Sequence, residues 1–66
     1  MTIIINGDTK EIPSDLSLDG VLEFFSLPSQ RVAVELNKTV IPRREWSRTT
    51  VAESDKIEVI HFVGGG

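Results

Sequence analysis

The chain has 66 residues with no cysteine, one histidine, seven basic and ten acidic side chains, and a formal net charge of −3. A chain this short forms one domain and buries only about 60% of the surface that it exposes when unfolded, which excludes a deep active site between two lobes. Without cysteine there is no disulfide, thiolate nucleophile or cysteine metal site, and one histidine cannot build a histidine cluster. The acidic balance disfavours a nucleic-acid-binding module. No apolar run approaches the about 20 residues of a membrane helix and no signal peptide opens the chain, so we expect a cytoplasmic protein without a membrane partner.

The charges are unevenly distributed along the chain. Residues 31–48 carry five basic against two acidic side chains and therefore sum to +3, whereas the segments on either side are acidic. Ordinary solvated surface explains this pattern, and so does a basic face that steers an acidic partner. Both interpretations stay open from sequence.

The first elements in chain order form a hairpin. A β-branched run predicts a strand over residues 2–6, and residues 10–12 predict a second, antiparallel strand. Asn6-Gly7 lies between them and tolerates the two positive φ angles of a type I′ turn.

A helix follows Pro13, which ends the second strand. Ser17 is a candidate N-cap, and one helical face then carries apolar residues at i, i+3, i+4 and i+7, namely Leu18, Val21, Leu22 and Phe25. Pro28 predicts that the helix ends by Ser26 or Leu27. Gly20 lies inside this helix and would allow its backbone to approach the sheet closely.

The second half of the chain predicts three more strands. Residues 31–36 alternate, residues 39–41 form a brief strand closed by Pro42, and the last strand runs from Lys56 to Phe62 or Val63. Residues 43–50 are polar and basic around a single tryptophan, which indicates a loop that could include one helical turn. The chain ends in three glycines.

No constellation of catalytic side chains is apparent. His61 lacks a recognisable nucleophile beside it and is more typical of a solvated strand residue. Two carboxylate pairs, Asp15 with Asp19 and Glu53 with Asp55, lie in turns or at the helix start, where carboxylates usually cap backbone N–H groups.

The last strand carries an unusual apolar pattern. Ile57 and Val59 are the natural pair to face the helix, because Glu58 between them belongs in water. Ile60 and Phe62 then point to the outer face of the sheet. We interpret them as an exposed partner site, with cover by a neighbouring loop or by Trp46 as the alternative.

The glycine end is the second unusual feature. Three glycines pack nothing, so they are either a frayed terminus or a thin arm that can enter a narrow channel of a partner. In the second case the carboxylate of Gly66 is the reactive group. A carboxylate is a poor electrophile, so it would need adenylation before it could accept sulfide or an amine.

These features resemble one family. The order strand–strand–helix–strand–strand–strand with a terminal Gly-Gly resembles the α+β, ubiquitin-like β-grasp fold, a mixed sheet packed on one main helix. Within that fold nearly the whole chain resembles the ThiS family of sulfur carriers of thiamin biosynthesis. The similar segments are the opening strand with Asn6-Gly7, the run Val32-Ala33-Val34-Glu35-Leu36-Asn37, the run Val40-Ile41-Pro42-Arg43 with Trp46 three residues on, and Asp55-Lys56-Ile57-Glu58-Val59 continuing to Val63-Gly64-Gly65-Gly66. A third glycine, Gly64, stands where a small or apolar residue would also serve.

The resemblance implies a β-grasp domain over residues 1–63 and a flexible tail over residues 64–66. It implies a non-enzymatic carrier whose Gly66 carboxylate is adenylated by a ThiF-type enzyme using ATP and Mg²⁺. A cysteine desulfurase would supply the sulfur of the resulting thiocarboxylate, and a ThiG-type thiazole synthase would consume it. Gly64 and Gly65 would pass through the partner's channel. Ile60 and Phe62 would contact the activating enzyme. Further candidates for that contact are Arg43, Arg44 and Arg48.

Three other functions remain compatible with the sequence. A MoaD-type carrier for molybdopterin would use the same terminal chemistry, and a protein modifier would form conjugates through Gly66. A plain interaction module would not need its glycines at all.

Overall fold

The computed structural model describes residues 1–62. Val63 and the predicted tail of residues 64–66 lie outside the described residues, as does the predicted boundary between domain and tail. The elements, in chain order, are strands β1 (Thr2–Ile5) and β2 (Asp8–Glu11), helix α1 (Leu18–Phe24), strands β3 (Val32–Leu36) and β4 (Thr39–Ile41), a 3₁₀ helix (Arg43–Arg48) and strand β5 (Lys56–His61). The predicted element order is confirmed, and the 3₁₀ helix occupies most of the predicted loop.

The five strands form one mixed sheet in the order β2-β1-β5-β3-β4. The last strand therefore lies in the middle of the sheet, parallel to β1 on one side and antiparallel to β3 on the other. The two outer pairs, β1–β2 and β3–β4, are antiparallel. This arrangement confirms the predicted α+β class and mixed sheet.

The hairpin turn has the predicted backbone. Asn6 has φ 49° and Gly7 has φ 85°, which are the two positive values that a type I′ turn requires. Because only these two residues form the turn, β2 begins at Asp8 rather than at the predicted Lys10. Ile12, which was expected in the strand, follows it and donates its N–H to the carbonyl of Met1 at 2.8 Å.

The helix begins as predicted and ends earlier. Ser17 is the N-cap, and its hydroxyl oxygen accepts the backbone N–H of Gly20 at 3.4 Å. At the other end Ser26 has φ 56°, its N–H bonds the carbonyl of Glu23, and the N–H of Leu27 bonds the carbonyl of Leu22 at 2.8 Å. This pattern is a Schellman motif, which ends the helix before Pro28 has any influence.

The expectation about Gly20 is wrong. A β-carbon at this position would have as its nearest neighbours Leu16 Cδ2 and Ser17 Oγ, each at 3.4 Å, and not an atom of the sheet. Those are ordinary contact distances, so the absence of a side chain is not what brings α1 against the strands.

The core lies between α1 and one face of the sheet. Leu18, Val21 and Leu22 of the helix are buried against residues of β1, β3 and β5, with further cover from the loops and the 3₁₀ helix: Ile3, Ile5, Ile12, Val32, Val34, Trp46, Val51 and Ile57. Trp46 explains why residues 43–48 are helical rather than irregular. Its indole is buried, and Nε1 donates to the carbonyl of Ile41 at 2.8 Å, which ties the 3₁₀ helix to the end of β4.

Side-chain amides hold β5 at the positions where its neighbouring strands stop. The amide oxygen of Asn6 accepts the N–H of Val59 at 2.8 Å, just beyond the last residue of β1. The amide oxygen of Asn37 accepts the N–H of Lys56 at 2.9 Å, and its Nδ2 donates to Asp55 at 3.0 Å. Both residues therefore extend the sheet by one hydrogen bond beyond the strand pairing.

This arrangement gives a test of Asn6. Asn6→Gly keeps the positive φ but removes the oxygen that bonds Val59, so we expect it to lower the free energy of unfolding by about 0.5–1.5 kcal/mol. Asn6→Asp keeps an acceptor oxygen and tolerance of positive φ, and we expect a much smaller loss. Urea unfolding of both variants measures the difference, and equal stability of the two would contradict the proposed role of the side-chain oxygen.

Candidate docking face

Strand β5 presents two different faces, as its alternation predicts. Ile57 is 1% exposed beneath α1, and Val59 is half-buried against the core. Ile60 is 44% exposed and Phe62 is 55% exposed on the opposite side. Trp46 belongs to the buried core, so the alternative in which it covers these two side chains does not hold.

The outer face of the sheet carries further apolar residues around this pair. Ala33 of β3 lies directly opposite Ile60, and Val40 of β4 is 60% exposed on the same face. The N–H of Phe62 donates to the carbonyl of Arg31 at 2.8 Å, which continues the β3–β5 pairing past the end of the strand. We call Ala33, Val40, Ile60 and Phe62 the apolar patch.

Sequence analysis did not find Ala33 and Val40. Each is one apolar residue in a short strand, and only the cross-strand pairing shows which face it occupies. The alternation of β3 was the available signal for Ala33, but the position of β3 next to β5 depends on long-range contacts.

The three candidate arginines lie on the 3₁₀ helix, which packs against α1 in the helix layer. The guanidinium of Arg43 stacks over the Trp46 ring at 4.7 Å from its centroid, a cation–π contact. Arg44 lies 3.9 Å from the carboxylate of Glu45 and is highly exposed, and Arg48 is in the last turn. Their element therefore lies in the layer of α1, whereas Ile60 and Phe62 are exposed on the opposite face of the sheet.

The carboxylates that could suggest acid–base chemistry have structural roles instead. Asp19 hydrogen-bonds the hydroxyl of its N-cap Ser17. Asp55 accepts the N–H of Ala52 at 2.7 Å, and Glu53 accepts the N–H of Thr2 at 3.0 Å. In residues 1–62, no group of three or more histidine, aspartate or glutamate side chains is arranged so that it could bind a metal ion. None of the helices in this part of the chain has the length and apolar character needed to cross a membrane.

The three glycine positions of the candidate site lie outside the described residues. Gly64 and Gly65, predicted to thread a channel, and Gly66, predicted to carry the reactive carboxylate, therefore stay predictions. The structure does place Phe62, which lies four positions before Gly66 and belongs to the apolar patch.

A mixed five-stranded sheet packed on one helix, with its opposite face bare of any helix within residues 1–62, is a ubiquitin-like β-grasp domain. The crystal structure of a thiamine biosynthesis protein (ThiS) from Geobacter metallireducens has the same fold. It superposes with a TM-score of 0.88 at 30% sequence identity, covering 100% of both chains.

The chain belongs to the ThiS family, whose family model matches residues 3–66. The sulfur carrier protein ThiS of Bacillus subtilis is 33% identical over 63 residues, which span 94% of this chain and 96% of that protein. These matches confirm the family resemblance predicted from the sequence.

A second kind of relative is much longer. A thiazole synthase of Magnetococcus marinus is 38% identical over 66 residues, which are 100% of this chain but only 20% of the synthase. The chain therefore spans about a fifth of the length of that relative.

Two isoleucines of β5 provide a matched test of the face assignment. Ile57→Ala removes a fully buried side chain, and we expect it to lower the free energy of unfolding by about 2–5 kcal/mol. Ile60→Ala removes the same atoms from the exposed face, and we expect a loss below about 1 kcal/mol. Urea unfolding compares the two, and similar losses would show that Ile60 belongs to the core.

Proposed function

We propose that this chain is a sulfur carrier of thiamin biosynthesis that carries sulfur as a thiocarboxylate on Gly66. The observation that carries the proposal is the family match, which extends through residues 64–66 and so includes the terminal glycines. The described residues support a carrier rather than a catalyst, because their carboxylates with hydrogen-bond partners serve the fold.

The chemistry needs activation by another protein. A ThiF-type enzyme would bind ATP with Mg²⁺, and the Gly66 carboxylate would attack the α-phosphorus and release pyrophosphate. A persulfide generated by a cysteine desulfurase would then attack the acyl carbon and release AMP. A thiol would reduce the S–S bond of the resulting acyl disulfide and so release the thiocarboxylate. The carrier is a substrate in each step and provides no catalytic side chain.

Glycine suits the residues that enter the partner's active site. Without a β-carbon, Gly64 and Gly65 could pass through a channel too narrow for any side chain. The penalty for ordering them would be offset by docking energy gained elsewhere on the domain.

The apolar patch is the best candidate for that docking. Its side chains are exposed on a rigid sheet, and exposed apolar groups of this kind usually mark partner sites. Gly66 follows Phe62 by four residues, so an active site within about 14 Å of the docked patch could be reached. Arg43, Arg44 and Arg48 would contact the enzyme only if it also extended over the 3₁₀ helix.

A thiazole synthase of the ThiG type is the proposed acceptor of the sulfur. The Magnetococcus marinus protein of that name contains a segment similar to this whole chain. A carrier segment joined to a synthase in one polypeptide has a high effective concentration at that enzyme, which favours direct transfer between the two.

Gly66→Ala tests the proposed reactive end. A methyl group beside the reacting carboxylate would displace it in a channel shaped for glycine, and we expect kcat/KM for adenylation to fall about 100-fold. Release of pyrophosphate by a ThiF-type enzyme with ATP and Mg²⁺ measures the reaction. Ser29→Ala, an exposed change in the connection between α1 and β3, is the control for a simple substitution effect.

Wild-type rates for Gly66→Ala, or for a chain lacking Gly65 and Gly66, would overturn the proposal. If the thiocarboxylate forms but is consumed by molybdopterin synthase and not by thiazole synthase, the MoaD-type alternative is correct. Conjugates of high mass would instead indicate a protein modifier.

A further inference from the structure

Two glutamates face each other across the centre of the outer face. Glu35 of β3 and Glu58 of β5 are direct cross-strand partners, and both side chains lie on the side of the sheet opposite α1. Glu35 is half-buried and Glu58 is exposed. Like charges in this position repel each other and weaken the pairing of the two strands that they join.

Lys38 and Lys56 line a surface pocket together with Glu58, but within residues 1–62 neither lysine forms a salt bridge with it. Neither carboxylate accepts a hydrogen bond there, in contrast to Glu53 and Asp55, which bond backbone N–H groups. The one salt bridge in the described part of the chain joins Arg44 and Glu45. Lys56, the preceding residue on the same face of β5, is paired across the sheet with Ile4 and does not form a salt bridge with Glu58.

The acidic pair borders the apolar patch on two sides. Val40 is the cross-strand neighbour of Glu35, and Ile60 follows Glu58 on the same face of β5. A partner that covers Val40 and Ile60 must therefore also remove water from the two carboxylates. Burial of charges without a counter-charge is strongly unfavourable, so such a partner has to supply a cation at this point.

We propose that the adenylating enzyme docks on the outer face with an arginine or lysine placed against Glu35 and Glu58, while an apolar group beside that cation covers Ile60 and Phe62. This inference rests on the proposed function, since it names the chemistry of the partner at the docking face. Charge complementarity carries it: the free domain holds two adjacent, unsatisfied negative charges beside an exposed apolar surface.

The arrangement also sets the direction of docking. Along β5 the outer face changes from acidic at Glu58 to apolar at Ile60 and Phe62, and the chain then continues towards Gly66. A partner with a cation followed by an apolar group matches this order in only one orientation. The acidic pair thus fixes the orientation in which the partner lies on the outer face.

Three charge-neutral variants test the inference: Glu35→Gln, Glu58→Gln and the double variant. Removing the repulsion should increase the folding equilibrium constant of the free chain by about 1.5-fold to fivefold, as measured by urea unfolding. The double variant should bind the ThiF-type enzyme about tenfold more weakly and show a smaller loss of affinity with added salt. In adenylation assays KM should rise, with kcat at saturation unchanged.

Glu23→Gln is the matched control, because it removes the same charge from an exposed position on α1, in the layer opposite the docking face. If the double variant binds and reacts like Glu23→Gln while the wild type is adenylated normally, the inference is wrong and the carrier function stands. If the wild type itself is not adenylated, both fail. Weaker binding with an unchanged salt dependence would also overturn the inference, since the glutamates would then act through shape alone.

Discussion

The fold depends on the insertion of β5 between β1 and β3. This strand brings the end of the chain into the middle of the sheet, where Ile57 is buried beneath α1. The parallel contact with β1 is short, and Asn6 extends it by bonding the N–H of Val59 at 2.8 Å. Because the strand is fixed on both sides, its alternate residues are presented on a rigid surface. A partner bound there lies within a few residues of Gly66.

The two faces of the sheet serve different purposes. The face under α1 contains the hydrophobic core, and a domain this small can leave few apolar side chains elsewhere without losing stability. Even so, Ile60, Phe62 and Val40 are exposed, and Glu35 faces Glu58 beside them. Both features reduce the stability of the free domain. Under the proposed docking both become favourable, because the partner brings apolar surface and a positive charge.

The sequence predicted the features that depend on neighbouring residues. Asn6-Gly7, the Ser17 cap and the alternation of β5 are local patterns, and the structure confirms all three. The Schellman end at Ser26 was missed, and the 3₁₀ helix around Trp46 was predicted only as a loop that could include one helical turn. Hydrogen bonds and burial, rather than propensity, decide both. The Glu35–Glu58 pair could not be foreseen either, since cross-strand register is a long-range property. The three arginines lie on the 3₁₀ helix, and their contact with a partner stays a prediction.

The intact mass of the chain, purified from its own cells without added thiols, tests the central claim most directly. Sulfur carriage predicts a species heavier by the exchange of one oxygen for one sulfur, with the change located at Gly66. The same species should form in vitro with a ThiF-type enzyme, ATP, Mg²⁺, a desulfurase with cysteine, and a thiol as reductant. If only unmodified protein is found under both conditions, the chain is not a sulfur carrier.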